Sequence, residues 1–139
     1  MAIIVTSPVA TGAPGIPPRW TRSAKDAIGT AYSSVSRVWF TTSAGVLDEI
    51  YFPTIDTPQV RDLQFLITDG ETFFHEERRH LHSVTEYLDA TGLGVKIVNH
   101  SPDGRYHIFK EVITDPHQST LLINTRIEGD AELLKKLHL

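Results

Sequence analysis

An antiparallel, all-β sandwich is the fold this sequence predicts, on three observations. The stretch from Arg37 to Thr68 holds three runs of strand length, rich in β-branched and aromatic residues that suit a pleated, half-buried surface. Each run is closed by turn chemistry, in Ser43-Ala44-Gly45, at Pro53, and in Asp69-Gly70. The same alternation of short strand and tight turn continues to Glu128, and a helical period appears only after Gly129.

Taken in order, residues 1–19 read as an irregular extended arm, because Pro8, Pro14, Pro17 and Pro18, with Gly12 and Gly15, leave few donors for a ladder. Trp20 follows at once. It is a candidate platform for a sugar ring, although pinning the arm to the sandwich is the commoner use of a large aromatic. Ser23–Ser36 has no clear period and reads as loop with one short strand around Thr30-Ala31-Tyr32. Arg37–Thr42 and Val46–Phe52 follow as strands, and Pro53 ends the second because it has no amide hydrogen to give a ladder. Thr54–Arg61 is polar and reads as a longer loop, and Leu63–Ile67 is the third run. Thr72–His75 pairs back through Asp69-Gly70 as a hairpin. Glu76–His82 reads as solvated polar β-structure. Ser83–Leu88, Val95–His100, Tyr106–Thr114 and Thr120–Glu128 are further strands, separated by Asp89–Gly94, Ser101-Pro102-Asp103-Gly104 and Asp115–Gln118. The run Leu121-Leu122-Ile123 predicts burial on both faces, or a central position. In the final segment Asp130 is placed to cap a short helical turn that gathers Leu133, Leu134 and Leu137 on one face.

Composition narrows the function. The chain has 139 residues, 40% hydrophobic and 22% charged, which is ordinary for one globular domain or part of one. A net charge of −4 argues against binding nucleic acid through phosphate neutralisation. There are no cysteines, so disulfides and thiolate metal sites are excluded. No apolar run reaches the roughly 18–20 residues that span a bilayer. Met1–Val5 lacks the basic flank and length of a leader, and a cytoplasmic location is the expectation.

Candidate chemistry is sparse. Glycoside hydrolysis needs two carboxyl groups on either side of one bond. Asp48 and Glu49 are adjacent, and strand alternation sends adjacent side chains to opposite faces, so this pair is not expected to converge. Glu76 and Glu77 fail in the same way if extended. Asp56 and Asp62 flank a loop, where turn capping and a salt bridge with Arg61 are the plainer reading. His75 and His80 are five apart, not the four of a zinc-protease helix motif. His80 and His82 would share a strand face, but no third ligand is evident, and no metal is expected.

The segments Gly29-Thr30-Ala31, Ser36-Arg37-Val38-Trp39-Phe40, Glu49-Ile50-Tyr51-Phe52-Pro53-Thr54-Ile55-Asp56 and Arg61-Asp62-Leu63-Gln64-Phe65 together closely resemble the amino-terminal domain of prokaryotic glucoamylases and glucodextranases, glycoside hydrolase family 15. The resemblance runs from about Gly12 to Leu139. It implies part of a large super-β-sandwich that, in this family, precedes an (α/α)6-barrel catalytic domain. That barrel is absent here, so 20–139 reads as a partial sandwich, about the first half of the family's domain. The family's catalytic glutamates lie in the barrel. No position here matches them, so no catalytic residue and no cofactor is assigned.

The expected role is a non-catalytic segment of a hydrolase acting on α-glucans, packed against the catalytic domain of the same polypeptide and shaping it. The loops Ser43–Gly45 and Thr54–Val60 are the expected contact surface. Two alternatives stand beside it. One is a free-standing carbohydrate-binding module, with Trp20, Trp39, Tyr51 and Phe52 as candidate α-glucan contacts. Trp39 and Phe40 are strand neighbours, and alternation alone does not say which faces outward. The other is a homo-oligomeric assembly element that pairs through exposed strand edges. The choice among starch-type glucan, dextran and trehalose is not written in these residues.

Overall fold

The computed structural model describes residue 21 and residues 23–139, so the arm at 1–19 and Trp20 lie outside the described residues. Ten strands and two single helical turns follow in the order β1 (Ala27–Thr30), β2 (Trp39–Ser43), β3 (Val46–Tyr51), β4 (Pro58–Val60), β5 (Leu66–Thr68), β6 (Phe74–Glu76), α1 (Glu77–His80), β7 (His82–Tyr87), β8 (Val95–His100), β9 (Tyr106–Thr114), β10 (Leu121–Gly129) and α2 (Ala131–Leu134). They form one four-stranded sheet in the order β1-β2-β3-β4, a second in the order β10-β9-β8-β7, and a small β5-β6 pair. Every pairing is antiparallel, as the turn chemistry predicts.

The inner face of the β7–β10 sheet organises the core. Along β9 the inward residues are Tyr106, Ile108, Lys110 and Val112, and along β8 they are Val95, Ile97 and Asn99. At one end Val95, Ile97 and Val112 meet Ala27, Phe40 and Leu47 of the first sheet. At the other end Tyr106 and Ile108 meet Ile67 and Leu133, with Phe65, Phe73, Leu81, Ile127 and Leu137 packed around them. Two apolar clusters therefore cover one face, and burial of each drives its covering layer onto the sheet.

Between the clusters sits a buried polar knot. Lys110 Nζ donates to both carboxylate oxygens of Glu77, at 2.8 and 2.9 Å, and to the Gly45 carbonyl at 2.7 Å. Asn99 Nδ2 donates to the same carbonyl at 2.8 Å and to Glu77 Oε1 at 2.7 Å. The Phe65 amide donates to Glu77 Oε2 at 2.8 Å. Burial pushes the Lys110 pKa below the ordinary lysine value, and the opposing pull of the Glu77 charge and hydrogen bonds does not restore it. Desolvation thus wins over attraction at Lys110, so a large net gain from the pair is not expected.

Several elements depart from the sequence reading, each for a local reason. The first strand lies at Ala27–Thr30 rather than around Tyr32, and Gly29, opposite Phe40 in the ladder, has no side chain and leaves room for the tip of the Phe40 ring. The polar loop after Pro53 contains β4, an edge strand in which the missing amide of Pro58 is tolerated. The third run keeps only Leu66–Thr68 as strand. Leu63 makes a single bridge to Leu47, and the Phe65 amide is taken by Glu77 instead of a ladder partner. Glu76–His82 is not continuous β-structure, because Glu77 turns inward to the knot and the chain makes one helical turn there. β10 is an edge strand with one covered face: Leu121 and Ile123 pack inward while Leu122 points to solvent. The carboxy-terminal turn is capped as expected, with Asp130 Oδ1 accepting from the amides of Glu132 and Leu133 at 3.0 and 2.9 Å.

Candidate functional site

The outer face of the first sheet carries the residues that the sequence singles out. Its geometry is set by a β-bulge. Thr41 pairs with Glu49 and Thr42 with Leu47, so Asp48 is the extra residue of β3. A bulge breaks the two-residue alternation and re-aims a side chain. Asp48 and Glu49, expected on opposite faces, consequently meet the same cation. Lys25 Nζ bonds Asp48 Oδ2 and lies 2.9 Å from Glu49 Oε2. Arg78 joins from α1, bonding Asp48 with one nitrogen and Asp62 with the other at 2.6 Å. The Tyr51 hydroxyl donates to Glu49 Oε2, and Lys25 also donates to Thr21 Oγ1 at 2.8 Å.

Convergence of the two carboxylates does not make a hydrolytic pair. Burial tends to raise the Glu49 pKa, but hydrogen bonds from Tyr51, Lys25 and Thr21 outweigh it and hold the carboxyl below its ordinary value. A general acid needs the opposite shift. Burial also opposes the charge on Lys25, yet its bonds to Asp48 and Glu49 raise its pKa. Burial and the hydrogen bond to Glu49 push Tyr51 up to about 12. The chemistry is that of a charge-compensated brace which ties the amino-terminal approach of β1, the bulged strand and α1 together.

This brace has a testable pH dependence. The folded pKa of Glu49 lies below the ordinary 4.5, so its contribution is fully present above that value and is lost as pH falls through the folded one. Urea unfolding of the parent and of Glu49→Gln is expected to show the largest stability gap near neutral pH, narrowing as pH falls below the ordinary 4.5. A gap that stays constant from neutral to acid would refute the assignment.

The aromatic candidates are resolved by the same register. Phe40 is fully buried in the core, so its neighbour Trp39 faces outward. Trp39 stands directly opposite Tyr51 across the β2–β3 ladder, and both are half-buried. Phe52 lies just past the strand end and is exposed. The other proposed pairs are structural. Asp56 accepts from Thr54 Oγ1 and Thr57 Oγ1 within its own turn, and Asp62 pairs with Arg61 at 3.3 Å as well as with Arg78. Glu76 is held by Arg79 and Gln64, whereas Glu77 is in the knot.

The family described as glucodextranase, domain N, matches residues 10–139. The chain belongs to that family. It is 39% identical over 120 residues to a glucoamylase of Clostridium sp. (strain G0005), an alignment that covers 86% of this chain and 17% of that protein. A solved bacterial glucoamylase, crystallised with acarbose, superposes with a TM-score of 0.80 at 38% identity, over 86% of this chain and 18% of that one. The chain thus spans less than a fifth of the length of the relatives it matches.

Two expectations within this glucodextranase-type domain change. The Ser43–Gly45 turn is not an outward contact loop: Ser43 and Gly45 are buried, and the Gly45 carbonyl serves Lys110 and Asn99. Thr54–Val60 is largely exposed, as a contact loop requires. His80 and His82 do not share a strand face, because His80 ends α1 and takes the Glu76 amide on Nδ1 at 2.8 Å. His75 is engaged with the Tyr106 hydroxyl at 2.7 Å. Sequence reasoning missed Lys25, Arg78 and Lys110, and weighed Glu77 only as half of a carboxylate pair with Glu76. The one available signal was a lysine at an inward place of β9, since Lys110 alternates with Ile108 and Val112.

Proposed function

We propose that this chain serves as a non-catalytic part of a glucoamylase-type glycoside hydrolase, packing against the catalytic domain and shaping its approach. The supporting observation is the pairing of near-complete coverage on this side with 17% coverage of the glucoamylase relative. The exposed loop Thr54–Val60, with Phe52 and Ile55 projecting at 42% and 68% exposure, is the surface offered to that domain. The charge brace ties β3, Asp62 and α1 together beside it, and a tied scaffold is what a contact loop needs. The test has two arms. The chain alone is expected to release no glucose from malto-oligosaccharides. In the full-length hydrolase, the double change Phe52→Ser and Ile55→Ser is expected to lower both melting temperature and turnover while the isolated chain's own melting temperature is kept. Turnover by the chain alone, or an unaffected full-length enzyme, would overturn the proposal.

A second reading rests on Trp39 and Tyr51 as cross-strand neighbours on one face. Their rings would form an α-glucan contact of the kind aromatic platforms provide. Retardation of the chain in a starch-containing gel, lost in Trp39→Ala with the fold intact, supports this reading, and unchanged mobility in starch removes it.

A further inference from the structure

The outer face of the β7–β10 sheet holds a row of ligating side chains. In register across the four strands stand His82 of β7, His100 of β8, His107 of β9 and Glu128 of β10. Their inward neighbours Asn99, Tyr106 and Ile108 are buried, so His100 and His107 point away from the core by alternation. His100 Nδ1 and His107 Nδ1 are 2.8 Å apart, with ring centroids 4.8 Å apart and the planes close to perpendicular. Two imidazole nitrogens this close share one proton between two lone pairs. A tetrahedral ion bound at about 2.0–2.1 Å to each would set those nitrogens about 3.3 Å apart. Opening the pair by about half an ångström, with the shared proton passing through water to the free Nε2 of its own ring, leaves both Nδ1 lone pairs facing one metal ion.

We propose that His100 and His107 form a site for a borderline divalent transition-metal ion, of the zinc, nickel or copper class. Imidazole donors favour these ions over calcium or magnesium, which take oxygen ligands. No three such side chains are already gathered around a point among the described residues, so the two imidazoles form the core of the site and the remaining positions are open to water. His82 and Glu128 flank the pair on the neighbouring strands. Glu128 is exposed and, among the described residues, is paired with Arg126 at 2.8 Å, a surface pair that a metal charge would readily outcompete. The ion would clamp the β8–β9 hairpin from outside, opposite the polar knot that holds it from within. The sequence reading tested His75, His80 and His82 because they are close along the chain, whereas His100 and His107 are brought together by the Ser101–Gly104 turn.

The test is titration of the 139-residue chain with zinc chloride and with nickel chloride, followed by calorimetry and thermal melting. One equivalent is expected to bind and to raise the melting temperature. His100→Gln and His107→Gln are each expected to weaken binding by at least about tenfold, as loss of one of two protein ligands should. His117→Gln, on an exposed turn, is expected to bind as the parent does. Both site variants lie on an outward face, and unliganded melting curves matching the parent establish that each is folded. Absence of binding at millimolar metal, or binding unchanged in both site variants, would overturn the proposal.

Discussion

Glu77→Leu is expected to destabilise the domain by about 3–5 kcal/mol, the cost of leaving a buried charge without its partner. The side chain is fully buried and is the only carboxylate bonded to Lys110 among the described residues. Leucine would also strip acceptors from Asn99 Nδ2 and the Phe65 amide. Because whole domains are stable by only about 5–15 kcal/mol, this one change removes a large share of the total. Urea unfolding monitored by far-ultraviolet circular dichroism measures it. The double variant Glu77→Gln, Lys110→Met removes both charges while keeping an acceptor for Phe65, and it is expected to recover more than half of the loss. A loss below about 1 kcal/mol for Glu77→Leu would show that the knot matters little.

Gly45→Ala is expected to be nearly as damaging. Gly45 has φ +79°, a left-handed conformation that strains other residues by about 1–2 kcal/mol. An added Cβ would also overlap Asn99 Oδ1 and come within 2.8 Å of Ser83 Cβ. Overpacking of this kind adds about 1–3 kcal/mol. The combined expectation is about 2–5 kcal/mol, read from the same unfolding curves. Gly70→Ala is the control. It shares the positive φ, at +80°, but no described residue lies within 4 Å of its added Cβ, so only the conformational part should appear. Equal losses at the two positions would remove the claim that Gly45 is needed for close approach.

What the sequence revealed, it revealed through local chemistry. The β8–β9 hairpin was legible because Ser101-Pro102-Asp103-Gly104 is turn chemistry and both flanking strands alternate. Asp130 was legible because a cap acts over two or three residues. The charge brace was not legible, since it depends on one bulge at Thr41/Thr42, and the alternation rule assumes no bulge. Glu77 was hidden for a different reason. Its partners Asn99 and Lys110 lie 22 and 33 positions away, and nothing in Glu76-Glu77-Arg78-Arg79 marks one glutamate as interior. Leu121-Leu122-Ile123 misled because three apolar residues in a row fit an edge strand with one exposed leucine as well as a central strand.

Lys110 also acts as an index mark on a long ruler. β9 is bonded along nine positions to β10 and along six to β8. A strand can slip by two residues and still keep every inward side chain inward, so apolar contacts alone leave neighbouring alignments close in energy. In β9 such a slip would carry Lys110 to the level of Ile108 or of Val112, against one of the apolar clusters and away from Glu77. Asn99 does the same for β8. The mispaired forms are thus each burdened with a buried ammonium or amide that has lost its acceptors, and a newly collapsed chain is driven to shed them and settle in the single alignment where Lys110 and Asn99 both meet Glu77.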